Sequence, residues 1–76
     1  MNRPGVRLPP RVELPAASMM AGWHVRDALG VSKQVLHLWR RDKGFPPYHR
    51  EGQDYFTSTR AVREWLEARG VRVETR

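Results

Sequence analysis

LGVSKQVLHLWRRDKG, residues 29–44, is the stretch on which the reading of this chain turns. On a helical wheel at about 100° per residue, the part from Ser32 to Lys43 separates into two faces. Lys33, Gln34, His37, Arg40 and Arg41 fall in one polar arc about 120° wide, and Val35, Leu36, Leu38 and Trp39 fill the other side. The arc holds no carboxylate, since Asp42 falls on the apolar side of its boundary. Ser32 suits the N-cap, because its hydroxyl can accept from a first-turn amide that has no helical partner. Gly44 suits the C-terminal stop. A short capped helix with an apolar back and uncompensated cations in front has what entry into a DNA major groove requires.

Upstream, a helix from about Gly22 to Leu29 turns Val25, Ala28 and Leu29 inward and leaves Trp23 off that stripe. Gly30-Val31 then makes the turn, and two helices joined by a three-residue, Gly-containing turn match the helix-turn-helix pattern. Downstream, Phe45-Pro46-Pro47 cannot continue a helix and favours extended backbone. Tyr48-His49-Arg50 reads as a strand, residues 51–54 as a hairpin tip with Gly52 at positive φ, and Tyr55-Phe56 as the return strand. A hairpin in that place is a wing. The fold class expected is therefore small α+β, a winged helix-turn-helix with about three helices and a short β-hairpin.

A third helix should start at a Ser58 or Thr59 cap and end before Gly70, with Ala61, Val62, Trp65, Leu66 and Ala68 inward. Its outer face pairs Arg60 with Glu64 and Arg63 with Glu67 at i,i+4, so its cations are locally compensated. Those of the second helix are not, which makes the third a support and the second the reader. The chain divides into a Pro-rich basic arm (residues 1–17), the winged domain (18–69) and a short tail (70–76). Pro4, Pro9, Pro10 and Pro15 rule out a helix through the arm. The alternation of Val6, Leu8, Val12 and Leu14 permits an edge strand, the other reading being disorder. Val71 to Arg76 alternates like a strand but is too short to assign.

Bulk properties agree with a polyanion partner. The 76 residues carry a net charge of +6, and arginine supplies twelve of the fourteen cations. Its planar fork suits phosphates and guanine edges better than lysine does. With no cysteine, disulfides and thiolate chemistry are excluded. His24, His37 and His49 lack metal-ligand spacing, so no metal or other cofactor is expected. No apolar run is long enough to span a membrane, and the expected location is the cytoplasm, without membrane binding. Nothing resembles a nucleophile elbow, a phosphate-binding glycine loop or a metal cluster, so no catalytic residue is assigned and the chain reads as a non-enzyme.

The run FPPYHREGQDYF (45–56), followed by TSTRAV (57–62), resembles the wing of phage lambda-type excisionases. Those proteins share a Phe-Pro-Pro start, a basic–acidic–Gly–polar–acidic–Tyr hairpin and an Ala-Val in the next helix. LGVS (29–32) with Trp39, and AVREWL (61–66), also resemble the wider MerR-like and AlpA-like winged-helix families. The resemblance spans about residues 20 to 68. It implies an architectural factor that binds repeated sites in a phage attachment region, bends the DNA, and tips recombination toward excision. The partners implied are double-stranded DNA, a phage integrase, and further copies of the chain bound cooperatively. Carried over, the reading positions are Ser32, Lys33, Gln34, His37, Arg40 and Arg41 in the major groove. Those of the wing are Arg50, Gly52 and Gln53 in the adjacent minor groove. Gln53 departs from the lambda-type pattern, which has a cation there, and only Val71 to Arg76 stand where that family has a longer basic tail.

Several residues keep two readings. Arg40 and Arg41 can read guanine bidentately or clamp phosphate, and phosphate is favoured for one of them. Gln34 fits adenine or is solvated. Trp39, Trp65, Phe45 and Phe56 read as core, whereas Trp23 is either a contact surface or covered by residues 6–14. Leu38, at the edge of the apolar arc, can serve a contact between protomers. The alternatives at the level of function are an AlpA-like transcriptional regulator, a recognition module like that of terminase small subunits, and a protein–protein adaptor.

Overall fold

The segment expected to be an arm opens the computed structural model, which describes residues 8–76, as a strand. In β1 (Arg11–Leu14), Val12 and Leu14 are buried while Arg11 and Glu13 face out, the period-two pattern of a strand with one side on a core. Its partner is the tail: β5 (Arg72–Thr75) lies parallel to it, in the register Arg11↔Arg72 to Leu14↔Thr75. Strand is thus the reading realised at residues 11–14, while Pro4 and Val6 lie outside the described residues. The division at 17/18 and 69/70 does not follow the packing. Val12, Leu14 and Val71 belong to the same buried cluster as the helices. Two four-residue alternations carry little signal alone; each becomes a strand because the other supplies its hydrogen-bond partners.

Met19–Ala21, assigned no structure from the sequence, forms β2. After α1 (Gly22–Leu29) and α2 (Lys33–Asp42) come β3 (Tyr48–Glu51) and β4 (Asp54–Ser58), then α3 (Thr59–Glu67). β2 and β3 flank β4 antiparallel in a three-stranded sheet ordered β2-β4-β3. The hairpin strands run longer than expected, and Glu51 pairs with Asp54 across a two-residue loop, Gly52-Gln53. Gly52 has φ 64°, the positive value that such tight connections demand at their first position. Together these elements make a small α+β domain.

Apolar spacing places the helices as expected, with local exceptions. Val25 and Leu29 of α1, Leu36 and Trp39 of α2, and Val62, Trp65 and Leu66 of α3 are buried. Gly30, at φ 68°, closes α1 by donating to Arg26 O at 2.8 Å, and Gly30-Val31-Ser32 leads into α2. Leu38 is 44% exposed. Ala68, expected inward, is exposed because α3 ends at Glu67 and Ala68 is already its C-cap. Arg60 meets Glu64 at 3.5 Å, but Arg63 donates to Thr75 Oγ1 of β5, tying α3 to the tail.

Three rings join α2, the segment after it and α3. Trp39 lies 5.3 Å from Trp65 and 6.0 Å from Phe45, and Phe45 meets Trp65 edge-on at 4.8 Å. Trp65 Nε1 donates to Lys43 O at 3.0 Å, satisfying a carbonyl at the end of α2.

Two stability outcomes are expected. Leu14→Ala should lower the unfolding free energy by about 2–5 kcal/mol in urea titrations. A loss within experimental error would mean that β1 is not part of the core. Thr57 is buried with no partner for its Oγ1, so Thr57→Val should raise stability by about 1 kcal/mol. A lower midpoint for this variant would show that the hydroxyl is satisfied.

Candidate nucleic-acid interface

Ser32 caps α2: its Oγ accepts from Val35 N at 3.2 Å, so its role in the helix start is already taken up by the fold. Beyond it Lys33, Gln34, His37 and Arg41 are all exposed. Among the described residues no ion pair or hydrogen bond engages the side chains of Lys33, Gln34 or His37. Four polar side chains along one helix face, two of them formal cations, are thus presented to solvent. Their spacing suits contact with a surface that offers both acceptors and negative charge.

The two arginines of this face differ. Arg40, expected as a reader, is half-buried and turned toward the chain that follows the helix. Its Nε donates to Pro46 O at 3.1 Å, and its guanidinium lies 4.5 Å from the Tyr48 ring centroid and 5.5 Å from that of Phe45. Burial lowers its pKa from the ordinary arginine value, with the nearby Tyr48 acting in the opposite direction. Arg41 is exposed and grips Asp42 with two bonds of 3.1 Å, and that pairing raises its pKa. Both remain cations throughout the working pH range. The expectation that no carboxylate compensates the face therefore needs correction. Wheel position separates Asp42 from the arc, but adjacent residues at a helix C-terminus can still meet through flexible side chains. Such an exposed pair is weak and can be exchanged for phosphate.

The hairpin sorts its side chains by face. Alternation puts Tyr48 and Arg50 on one side of β3, with Tyr55 and the buried Thr57 on the same side of β4. Tyr48 and Tyr55 meet edge-on at 4.8 Å, and the Arg50 guanidinium lies 5.7 Å from the Tyr55 centroid. Arg50 Nε also donates to Gly52 O at 2.9 Å. The opposite side carries His49, whose Nε2 is 3.8 Å from Glu51, together with Asp54 and Phe56. Gly52 and Gln53 are exposed at the tip, between Glu51 and Asp54. Sequence reasoning singled out Arg50, Gly52 and Gln53 but passed over Tyr48 and Tyr55. Their period-two spacing with Arg50 across the hairpin was the available signal.

Along the paired terminal strands three arginines interleave with two glutamates. Arg11 bridges Glu13 and Glu74 at 3.3 and 2.8 Å, Arg72 meets Glu74 at 3.4 Å, and Arg76 meets Glu13 at 3.6 Å. Arg69 donates to Lys43 O at 3.0 Å and lies 4.0 Å over Trp65. From Lys33 to Asp54 five Lys and Arg stand against three Asp and Glu, so α2 and the hairpin together are also net positive. Trp23 is 63% exposed and stacks on His24 at 5.1 Å. Among the described residues no helix is long and apolar enough to cross a membrane, and no three His, Cys, Asp or Glu side chains group as metal ligands. No protein-family model, curated protein or solved structure matches this chain.

The two arginines should separate in a melting experiment. Arg40→Ala removes a hydrogen bond and two ring contacts and should cost about 1–2 kcal/mol. Arg41→Ala should leave the melting temperature unchanged. Equal effects would contradict the asymmetry between them.

Proposed function

We propose that this protein is a winged helix-turn-helix factor that binds double-stranded DNA, with α2 in the major groove and the β3–β4 hairpin as its wing. The observation that carries this reading is the exposed face of Lys33, Gln34, His37 and Arg41, backed by a buried apolar side. In this reading Gln34 meets an adenine edge, Arg41 guanine or phosphate, and Lys33 phosphate near the helix start. Arg40 braces the hairpin instead of reading a base.

The role that fits this reading is that of an excisionase-type factor of a prophage or mobile element. Its support is the resemblance of residues 45–62 to the lambda-type wing. In that role several copies bind cooperatively to repeated sites and bend attachment-site DNA, and an integrase is the protein partner. Because Glu51 and Asp54 flank the tip, Arg50 carries more of the minor-groove contact than Gln53.

Two measurements bear on this. Titration against salt should give a slope of log K on log salt of about −4 to −5 for ~5 phosphate contacts, and Lys33→Ala should make it shallower by about one. A protein that shows no salt-dependent duplex binding is not a DNA reader. Footprints over the attachment site of the parent element should show tandem protection, whereas a single palindromic footprint at a promoter would favour a transcriptional regulator.

A further inference from the structure

The geometry points to a second contact surface for the DNA backbone: the α2-facing side of the hairpin, where the Tyr48 and Tyr55 hydroxyls donate to phosphate and Arg40 holds them in place. This rests on the DNA-binding reading above and deepens it. The carrying observation is a ladder that runs outward from α2. The Arg40 guanidinium lies 4.5 Å from Tyr48, Tyr48 meets Tyr55 at 4.8 Å, and Arg50 lies 5.7 Å from Tyr55. A guanidinium flanks the ring pair at each end, so two tyrosines are held beside the polar arc of α2 without being buried. They are 46% and 37% exposed.

Position and charge both suit a phosphate backbone. The hairpin carboxylates, Glu51 and Asp54, lie on the other side of the ribbon with His49 and Phe56, so neither shares the face of the two phenols and Arg50. The same side is continuous with the core through Thr57, which fixes its orientation toward the helices. It also approaches the start of α1: a Cβ placed on Gly22 would lie 3.8 Å from Tyr55 Cβ and 3.5 Å from Arg26 Nη1. A fifth donor-bearing side chain, Arg26, therefore borders the surface. Tyrosine hydroxyls are ordinary donors to phosphate oxygens, and such contacts set register without reading sequence.

Tyr48→Phe and Tyr55→Phe keep both rings and remove only the donors, so folding is retained and melting temperatures should match the wild type. Each should weaken duplex binding about three- to tenfold, equally on unrelated sequences. The salt slope should not change, because a neutral donor displaces no counterion. Arg40→Ala should also weaken binding with an unchanged slope, and adding Tyr48→Phe to it should cost less than it does alone. Wild-type affinity in both phenylalanine variants would overturn the inference while leaving the DNA-binding reading intact. Failure of the wild type to bind duplex DNA would instead remove that reading itself. A loss confined to one sequence would reassign the tyrosines to base contact, and one confined to single strands would make them a stacking platform. A slope shallower by about one in Arg40→Ala would make Arg40 itself a phosphate ligand.

Discussion

The carbonyl of Lys43 is the point on which the arrangement of this domain depends. It lies just past the last turn of α2, where backbone acceptors lose their helical partners. Trp65 Nε1 and Arg69 Nη2, both from the C-terminal part of the chain, donate to it at 3.0 Å. Trp65 is meanwhile packed on Trp39 and Phe45. One residue on α3 thus fixes where α2 stops and in which direction the chain leaves it. The next link follows at once, since Arg40 reaches forward to Pro46 O and lies against Tyr48, setting the hairpin against the helix. The angle between α2 and hairpin is therefore a consequence of core packing and not of the loop alone.

A second consequence concerns charge. A basic protein of this size repels itself unless its cations are distributed or matched. Here Arg11, Arg72 and Arg76 interleave with Glu13 and Glu74 across the paired terminal strands. These exposed bridges contribute little stability individually. Their effect is to offset most of the positive charge of the paired terminal strands, two glutamates against three arginines. The hairpin instead sorts its charges by face, with arginine and tyrosine on one side and carboxylates on the other.

Much of this was legible in the residues. The two faces of α2, the Ser32 cap, the turn at Gly30, the hairpin centred on Gly52 and the inward stripe of α3 all follow from periodicities and caps within a dozen residues. Such signals are local, and each element can be read without its neighbours. What escaped was non-local. Four residues in Arg11–Leu14 and four in Arg72–Thr75 are too few to declare a strand until they pair, and they lie some sixty residues apart. β2 is shorter still and exists because β4 accepts it.

The same division holds within the candidate interface. Sequence by itself determined which residues share the polar arc of α2, because a helix of known period leaves no choice in the matter. Only the tertiary structure decided how those residues are employed. Arg40 and Arg41 are neighbours in sequence and both fall in the polar arc, about 100° apart and near its two edges. Yet one is drawn under the hairpin by Pro46 O and Tyr48, while the other stays in solvent against Asp42. The difference lies in what happens to pass beside the end of the helix. That is settled by the path of Phe45–Tyr48, which α3 holds in place from twenty residues further along the chain.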